Sequence, residues 1–296
     1  MGIRLGANRY GKAESRVVRI VRDTARHEIR DLNVSTSLRG AFEDAHTTGD
    51  QAAVLPTDTQ KNTVYAFAKQ APIGEIEDFA LRLGRHFVTT QEPVTGARIL
   101  IDEYAWERIP VGGAGHNHSF SRASDEKRTT AITIDGSQAH VVSGLKDLVV
   151  LKSTGSEFWG YPKDGYTTLK ETNDRILATA VTARWRYLGT DLDWGKSFES
   201  VRSTMLEAFA TTHSYALQQS LYEMGKRVLE QHAEVAEVRL SLPNKHHFLV
   251  DMEPFGLENN NEVFFAADRP YGLIEGVVTR DDVEPAPLAW YSLPEF

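Results

Sequence analysis

An α+β fold made of two similar halves is what this chain predicts, on three observations. Val238, Leu240 and Leu242 alternate with Glu237, Arg239 and Ser241, the period-two pattern of a half-buried strand. Trp194, Phe198, Val201, Met205 and Phe209 make one apolar stripe at helical spacing, and Leu217, Leu221, Met224 and Val228 make the next. The order of strands, then helices, then strands also occurs twice, which argues for two α+β halves with antiparallel sheets.

The elements follow in order. Residues 16–22 read as a strand, and residues 27–38 as another with Leu32 and Val34 on one face. Only residues 23–26 separate them, so the pair reads as a hairpin. Val64, Phe67 and Ala68 form a short helical stripe, with Thr57 or Asp58 standing where a cap belongs. Residues 75–87 are the clearest early helix, since Ile76, Phe79, Ala80, Leu83 and Phe87 share one face and acidic residues fill the first turn. A polar stretch rich in Gly and His precedes a strand-like segment, residues 129–134. The second half starts near His140, which divides the chain into residues 1–139 and 140–296. Residues 148–151 and 183–187 read as strands. Thr212, His213 and Ser214 join the two long helices, with Ser214 in place to cap the second. Strands return at 235–242, 248–252 and 273–279. Pro243, which has no N–H, is expected to break the ladder between the first two.

Composition narrows the partners. With 33 Lys and Arg against 41 Asp and Glu, the net charge is −8 over 296 residues. A field of that sign argues against nucleic acid and leaves room for a small anion only in a local cationic pocket. No apolar run approaches membrane-spanning length. The N-terminus lacks the apolar core of a signal peptide, and the Leu-Pro-Glu-Phe ending is not a peroxisomal tripeptide, so a cytoplasmic location is expected. There is no cysteine, which removes disulfides, thiolate metal sites and a Cys nucleophile and fits a reducing compartment.

Several segments concentrate chemistry. Ser241 to Phe248 spends an amide (Asn244), an ammonium (Lys245) and two imidazoles (His246, His247) on consecutive positions beside Pro243. Such groups cost stability unless each finds a partner; they form either a solvated turn or a site. Thr57 and Asp58 open a helix, as a cap or as a place where exposed N–H groups meet a polar ligand. Leu217 reads as core. Gln218 lies off the apolar stripe at the positive helix end, as surface or as a ligand clamp. Phe158, Trp159 and Tyr161 are bracketed by glycines and either pack under a loop or stack a flat heterocycle. Arg175 pairs a structural carboxylate or forks two hydrogen bonds to a planar anion. His116 and His118 would share a strand face, but no third ligand stands at a recognisable spacing, so no metal site is expected.

Six segments stand together in this order: Tyr10-Gly11-Lys12, residues 57–63, residues 151–160 with Phe158-Trp159-Gly160, residues 166–172, Asp174-Arg175-Ile176-Leu177 and residues 241–248. From about Asn8 to Arg280 the chain resembles the urate oxidase (uricase) family. The resemblance implies a tunnelling fold, two tandem modules of an antiparallel sheet with two helices each. Dimers would close a β-barrel, and two dimers would stack into a homotetramer with active sites shared between subunits. It implies oxidation of urate by O2 and water to 5-hydroxyisourate and hydrogen peroxide, with neither metal nor organic cofactor. Position by position, it gives Lys12, Thr57 and His246 to a proton relay, Phe158 to stacking on the purine, and Arg175 and Gln218 to opposite edges of the ring. The Leu217 backbone would add a contact. Asn244 and Thr57 would hold O2 or water above the ring, and Asp58 would orient that loop. Leu217 stands where many members have Val; Asn173 and residues 111–117 fall where the family varies.

The chemistry is coherent. Urate is flat and electron-rich, and a second deprotonation raises its reducing power toward O2. The protein then needs a base, a role lysines fill where burial or nearby cations keep them neutral part of the time. It also needs a cation such as Arg175 to stabilise the developing dianion. Two other readings stay open: a tunnelling-fold enzyme acting on a pterin or another purine, and a non-catalytic purine-binding protein. Relatives of the first kind usually select the heterocycle with a Glu and often bind zinc, whereas Arg175 with Gln218 suits an anion.

Overall fold

A computed structural model describes residues 2–291; the Leu-Pro-Glu-Phe ending lies outside them. The chain divides into two compact units. The first takes the chain up to Gly144 together with Arg186–Ser197 and a segment from Glu284, and the second takes Leu145–Trp185 and Phe198–Val283.

In the first unit, β1 (Tyr10–Val21) and β2 (Glu28–Gly40) form the expected antiparallel hairpin. Leu32, Val34, Thr36 and Leu38 are buried at alternate positions of β2, the consequence of the two-residue pleat. Three helices follow: α1 (Glu43–Thr47), α2 (Thr57–Gln70) and α3 (Ile76–Thr90). The predicted stripe of α3 is buried in full, with Ile76, Phe79, Ala80, Leu83 and Phe87 each 0% exposed. Gly84 belongs to the same face. A β-carbon there would come within 2.8 Å of Ile134 Cγ1, so glycine is what lets this helix sit close on the sheet. Two strands, β3 (Val94–Val111) and β4 (Ala114–Asp135), complete the antiparallel set β1–β2–β3–β4. β5 (Gln138–Lys152) begins in the first unit and ends in the second, and β6 (Leu177–Tyr187) does the reverse.

The second unit holds most of α4 (Trp194–Thr211), all of α5 (Leu217–Gln231), and the antiparallel pair β7 (Val235–Leu249) and β8 (Phe264–Thr279). Leu217, Leu221, Met224 and Val228 are buried along α5. Gly225 repeats the device of Gly84, since a β-carbon would approach Val278 Cγ2 to 2.6 Å. A last short helix, α6 (Pro287–Trp290), belongs to the first unit. There the buried Arg98 donates to the carbonyls of Leu288 at 3.3 Å and Ala289 at 3.1 Å.

The structure corrects four local readings. β4 starts at Ala114, so the polar Gly- and His-rich stretch lies inside a strand rather than ahead of one. Gly112 and Gly113, with φ of 60° and 83°, make the turn before it. Neither face of that half of β4 is steadily buried, so no alternation marks it in the sequence. Pro243 does not break a strand: β7 runs through it, pairing Pro243 with Leu273 and Asn244 with Gly272. Proline's fixed φ suits an extended chain, and only one donor is lost. The irregularity comes just after, where Lys245 alone faces residues 268–271 before pairing resumes at His246 and Ala267. Finally, the cap positions of α2 and α5 are Pro56 and Ala216, with no side-chain cap bond. Thr57 and Asp58 lie one and two residues inside α2, and Ser214 is buried upstream of α5.

Candidate active site

Lys12, Thr57 and Asp58 all belong to the first unit. Lys12 stands on β1 at a shift of register between the pairs Lys12–Thr36 and Ser15–Val34, where Glu14 takes a left-handed φ of 56°. Irregularities of this kind re-aim neighbouring side chains. The Lys12 N–H donates to Thr36 Oγ1 at 3.4 Å, and Thr36 Oγ1 donates to Gln60 Oε1 at 2.8 Å. Gln60 is fully buried on α2, one turn after Thr57. A buried amide therefore ties the strand that carries Lys12 to the helix that carries Thr57. Asp58 is exposed and accepts from Lys61 Nζ at 2.5 Å and Asn62 Nδ2 at 3.0 Å. The Lys61 hydrogen bond and charge hold its carboxyl below the ordinary value, helped by Asn62 and, last, by the charge of Lys12. Lys12 and Asp58 are thus within electrostatic reach of each other.

The remaining candidates lie in the second unit. Phe158 N donates to the Thr172 carbonyl at 2.8 Å, and Thr172 N returns a bond of 3.0 Å. Arg175 N donates to the Ser156 carbonyl at 2.9 Å. These bonds fold the loop back so that the Arg175 guanidinium carbon lies 5.1 Å from the Phe158 ring centre, within cation–π range. Tyr161 stacks on Phe158 at 4.8 Å with 17° between the rings. Burial pushes Arg175 below its ordinary pKa, and no carboxylate pairs with it among the described residues. Among the described residues, then, Arg175 does not take the structural ion pair, the first of its two readings.

The same loop reaches α5. Glu157 N donates to the Ser214 carbonyl at 2.7 Å, and Ser214 N donates to the Gly155 carbonyl at 2.9 Å. Ser220 Oγ, on α5, donates to Ser214 Oγ at 2.8 Å. Leu217 and Gln218 open that helix, so their N–H groups have no carbonyl one turn back. Leu217 is 2% exposed, as a core residue, and the Gln218 side chain is open to solvent.

Asn244 and His246 flank the irregularity in β7. Gly272 N donates to His246 Nε2 at 3.4 Å, which makes that nitrogen an acceptor, and the His246 ring stacks on Phe248 at 5.7 Å. Burial depresses the His246 pKa, and the charges of Arg175 and His247 push it the same way. Arg175 and His246 thus sense each other, although they lie far apart in sequence. Elsewhere, the His116 and His118 rings meet edge-on at 4.5 Å, with His27 at 5.8 Å from His118. Among the described residues, no three His, Asp or Glu side chains are arranged to hold a metal ion.

Sequence reasoning passed over Gln60, Thr36 and Ser156, and it read Ser214 only as a helix cap. For Gln60 a signal existed: Gln60, Val64 and Ala68 are spaced at four residues and are the buried residues of α2. The serines lie in irregular segments where no periodicity points to burial.

Fold and site together define an α+β protein of antiparallel sheets, with a guanidinium, an aromatic ring and an imidazole suited to a flat anionic heterocycle. The uricase family model matches residues 8–133 and 141–275. A uricase of Arthrobacter globiformis is 55% identical over 292 residues, 99% of this chain and 95% of that protein. A uricase of Dictyostelium discoideum is 40% identical over 276 residues, 92% of this chain and 96% of that protein. The crystal structure of the Arthrobacter globiformis uricase aligns with a TM-score of 0.92, covering 97% of this chain and 98% of that one. The chain belongs to the uricase family and has its tunnelling fold.

Proposed function

We infer that this chain is a urate oxidase. The family match over nearly its whole length supports the reading. The observation that carries it at the site is Arg175, a part-buried cation over Phe158 with no carboxylate partner among the described residues. A flat anion stacked on Phe158 would supply the missing charge.

The reaction proposed is oxidation of urate by O2 and water to 5-hydroxyisourate and hydrogen peroxide, without metal or organic cofactor. Phe158 stacks the purine, while Arg175, Gln218 and the Leu217 N–H hold its edges. Lys12, acting with Thr57 and His246, removes the second proton, so the dianion itself reduces O2. Recombination at the ring carbon gives a hydroperoxide that water displaces. Asn244 and Thr57 hold O2 or water above the ring, and Asp58 orients its loop. A neutral His246 suits proton transfer, and burial with the neighbouring cations favours that form. Added urate should lose its absorbance with peroxide formed in step with O2 consumed, and the rate should survive exhaustive chelation. Activity lost to a chelator and restored by a metal would overturn the cofactor-free part of the reading.

The proposed assembly is a homotetramer of barrel-closing dimers, each chain supplying one tunnelling-fold module from residues 1–139 and one from 140–296. Exposed apolar side chains support it: Val149 and Leu151 on β5, and Phe265, Leu273 and Val277 on β8. Each active site would take Lys12 and Thr57 from one subunit and the second group from its neighbour. A chain lacking cysteine suits a reducing compartment, and the cytoplasm is the one proposed. Co-assembly tests the sharing. A mutant lacking Lys12 and one lacking Arg175, each inactive alone, should regain activity in mixed dimers, because one of two symmetric sites then carries neither lesion. Mixed dimers as inactive as their parents would mean that one chain builds the whole pocket.

A further inference from the structure

Arg175 has five N–H donors, and one is already committed. Its Nε–H donates to Ser156 Oγ at 3.3 Å, and its main-chain N–H donates to the carbonyl of the same residue at 2.9 Å. Ser156 is 0% exposed, so water cannot replace its hydroxyl. Its place is set in turn by the pairing of residues 155–157 with Ser214, itself 0% exposed and bonded to Ser220 on α5. The oxygen that meets Nε is thus held by the segment leading into Leu217 and Gln218.

A guanidinium is planar and presents two kinds of paired edge: Nε with one Nη, or Nη1 with Nη2. With Nε engaged, the edge left for a planar anion is Nη1 with Nη2. We propose that Ser156 is a positioning residue for urate: it occupies the Arg175 Nε–H and turns the Nη1–Nη2 edge toward the purine, in register with the start of α5. This rests on the reading of Arg175 as the group that grips the substrate. A rotamer-rich side chain pre-oriented in this way loses less freedom when the ligand arrives. A serine is also small enough to lie beneath the guanidinium without displacing it from Phe158.

The test is Ser156→Ala alone and combined with Arg175→Ala, with thermal unfolding as a check on folding. The probe is xanthine, a planar purine without the C8 oxygen of urate, alongside urate turnover. Ser156→Ala should weaken xanthine binding and raise KM for urate about tenfold, the lower range for a hydrogen bond to a charged group. The change in kcat should be smaller, because orientation in the ground state and the transition state is affected alike. In the Arg175→Ala background, Ser156→Ala should add nothing, since its effect passes through the guanidinium. Ser156→Cys, of similar shape but a weak acceptor, takes its place if the Ala variant does not fold. Equal weakening in both backgrounds would show that Ser156 supports only the fold, and unchanged xanthine binding in a folded variant would overturn the proposal directly. If Arg175→Ala itself left xanthine binding intact while the wild type turned over urate, the role of Arg175 would fall and the urate oxidase reading would stand.

Discussion

Lys12→Met should lower kcat for urate by about a hundredfold or more, the usual loss when a positioned base is removed, while xanthine binding stays nearly unchanged. The frame around Lys12 does not depend on its ammonium. The Lys12 main-chain N–H, Thr36 and Gln60 link β1 to α2 through atoms that Met leaves in place. Met also keeps most of the length and apolar stem of the side chain. The lesion is therefore confined to the proton-accepting nitrogen, which matters most on the way to the transition state. Steady-state kinetics with calorimetric xanthine binding separates the alternatives. A variant with raised KM and unchanged kcat would make Lys12 a binding group rather than a base.

Arg175→Ala should act mainly on binding. Loss of a charged hydrogen-bonding partner costs about 1.5–3 kcal/mol, equivalent to roughly a 10- to 150-fold rise in the xanthine Kd. The same change should be felt at His246. Burial is the first cause of its depressed pKa, and the charge of Arg175 is the second. With that cation gone, the imidazole pKa should rise, because its protonated form is no longer repelled. An NMR titration of the His246 ring in wild type and variant reads the shift directly. A pKa unmoved or lowered would mean that Arg175 and His246 do not share one electrostatic environment.

Some of this was legible in the residues and some was not. The stripes of α3, α4 and α5 were readable because each helix buries one face of a repeating 3.6-residue pattern. The β1–β2 hairpin was readable because β2 is half buried and so alternates. Much of β3 and β4 lacks that asymmetry, and β3 also pairs with β2 residues distant in sequence, so nothing local announced Val94–Val111 as a strand. The candidate residues were legible as a motif, since runs such as residues 57–63 and 241–248 place unusual chemistry on consecutive positions. Their supports were less so: the spacing of Gln60 with Val64 and Ala68 hints at burial, but Ser156 looks like an ordinary polar residue until the fold buries it against Arg175.

The sequence by itself determined the α+β class, the helix faces, the acidic charge and the candidate groups proposed to bind and deprotonate a planar anion. These follow from side-chain chemistry and from periodicities that one segment carries alone. Only the tertiary structure decided that β7 passes through Pro243, that Arg175 lies over Phe158 with no carboxylate partner among the described residues, and that burial, helped by a cation far away in sequence, depresses His246. Each depends on which distant segments share a buried environment. Burial and Coulomb energy are set by distance in space, and no local pattern encodes that distance.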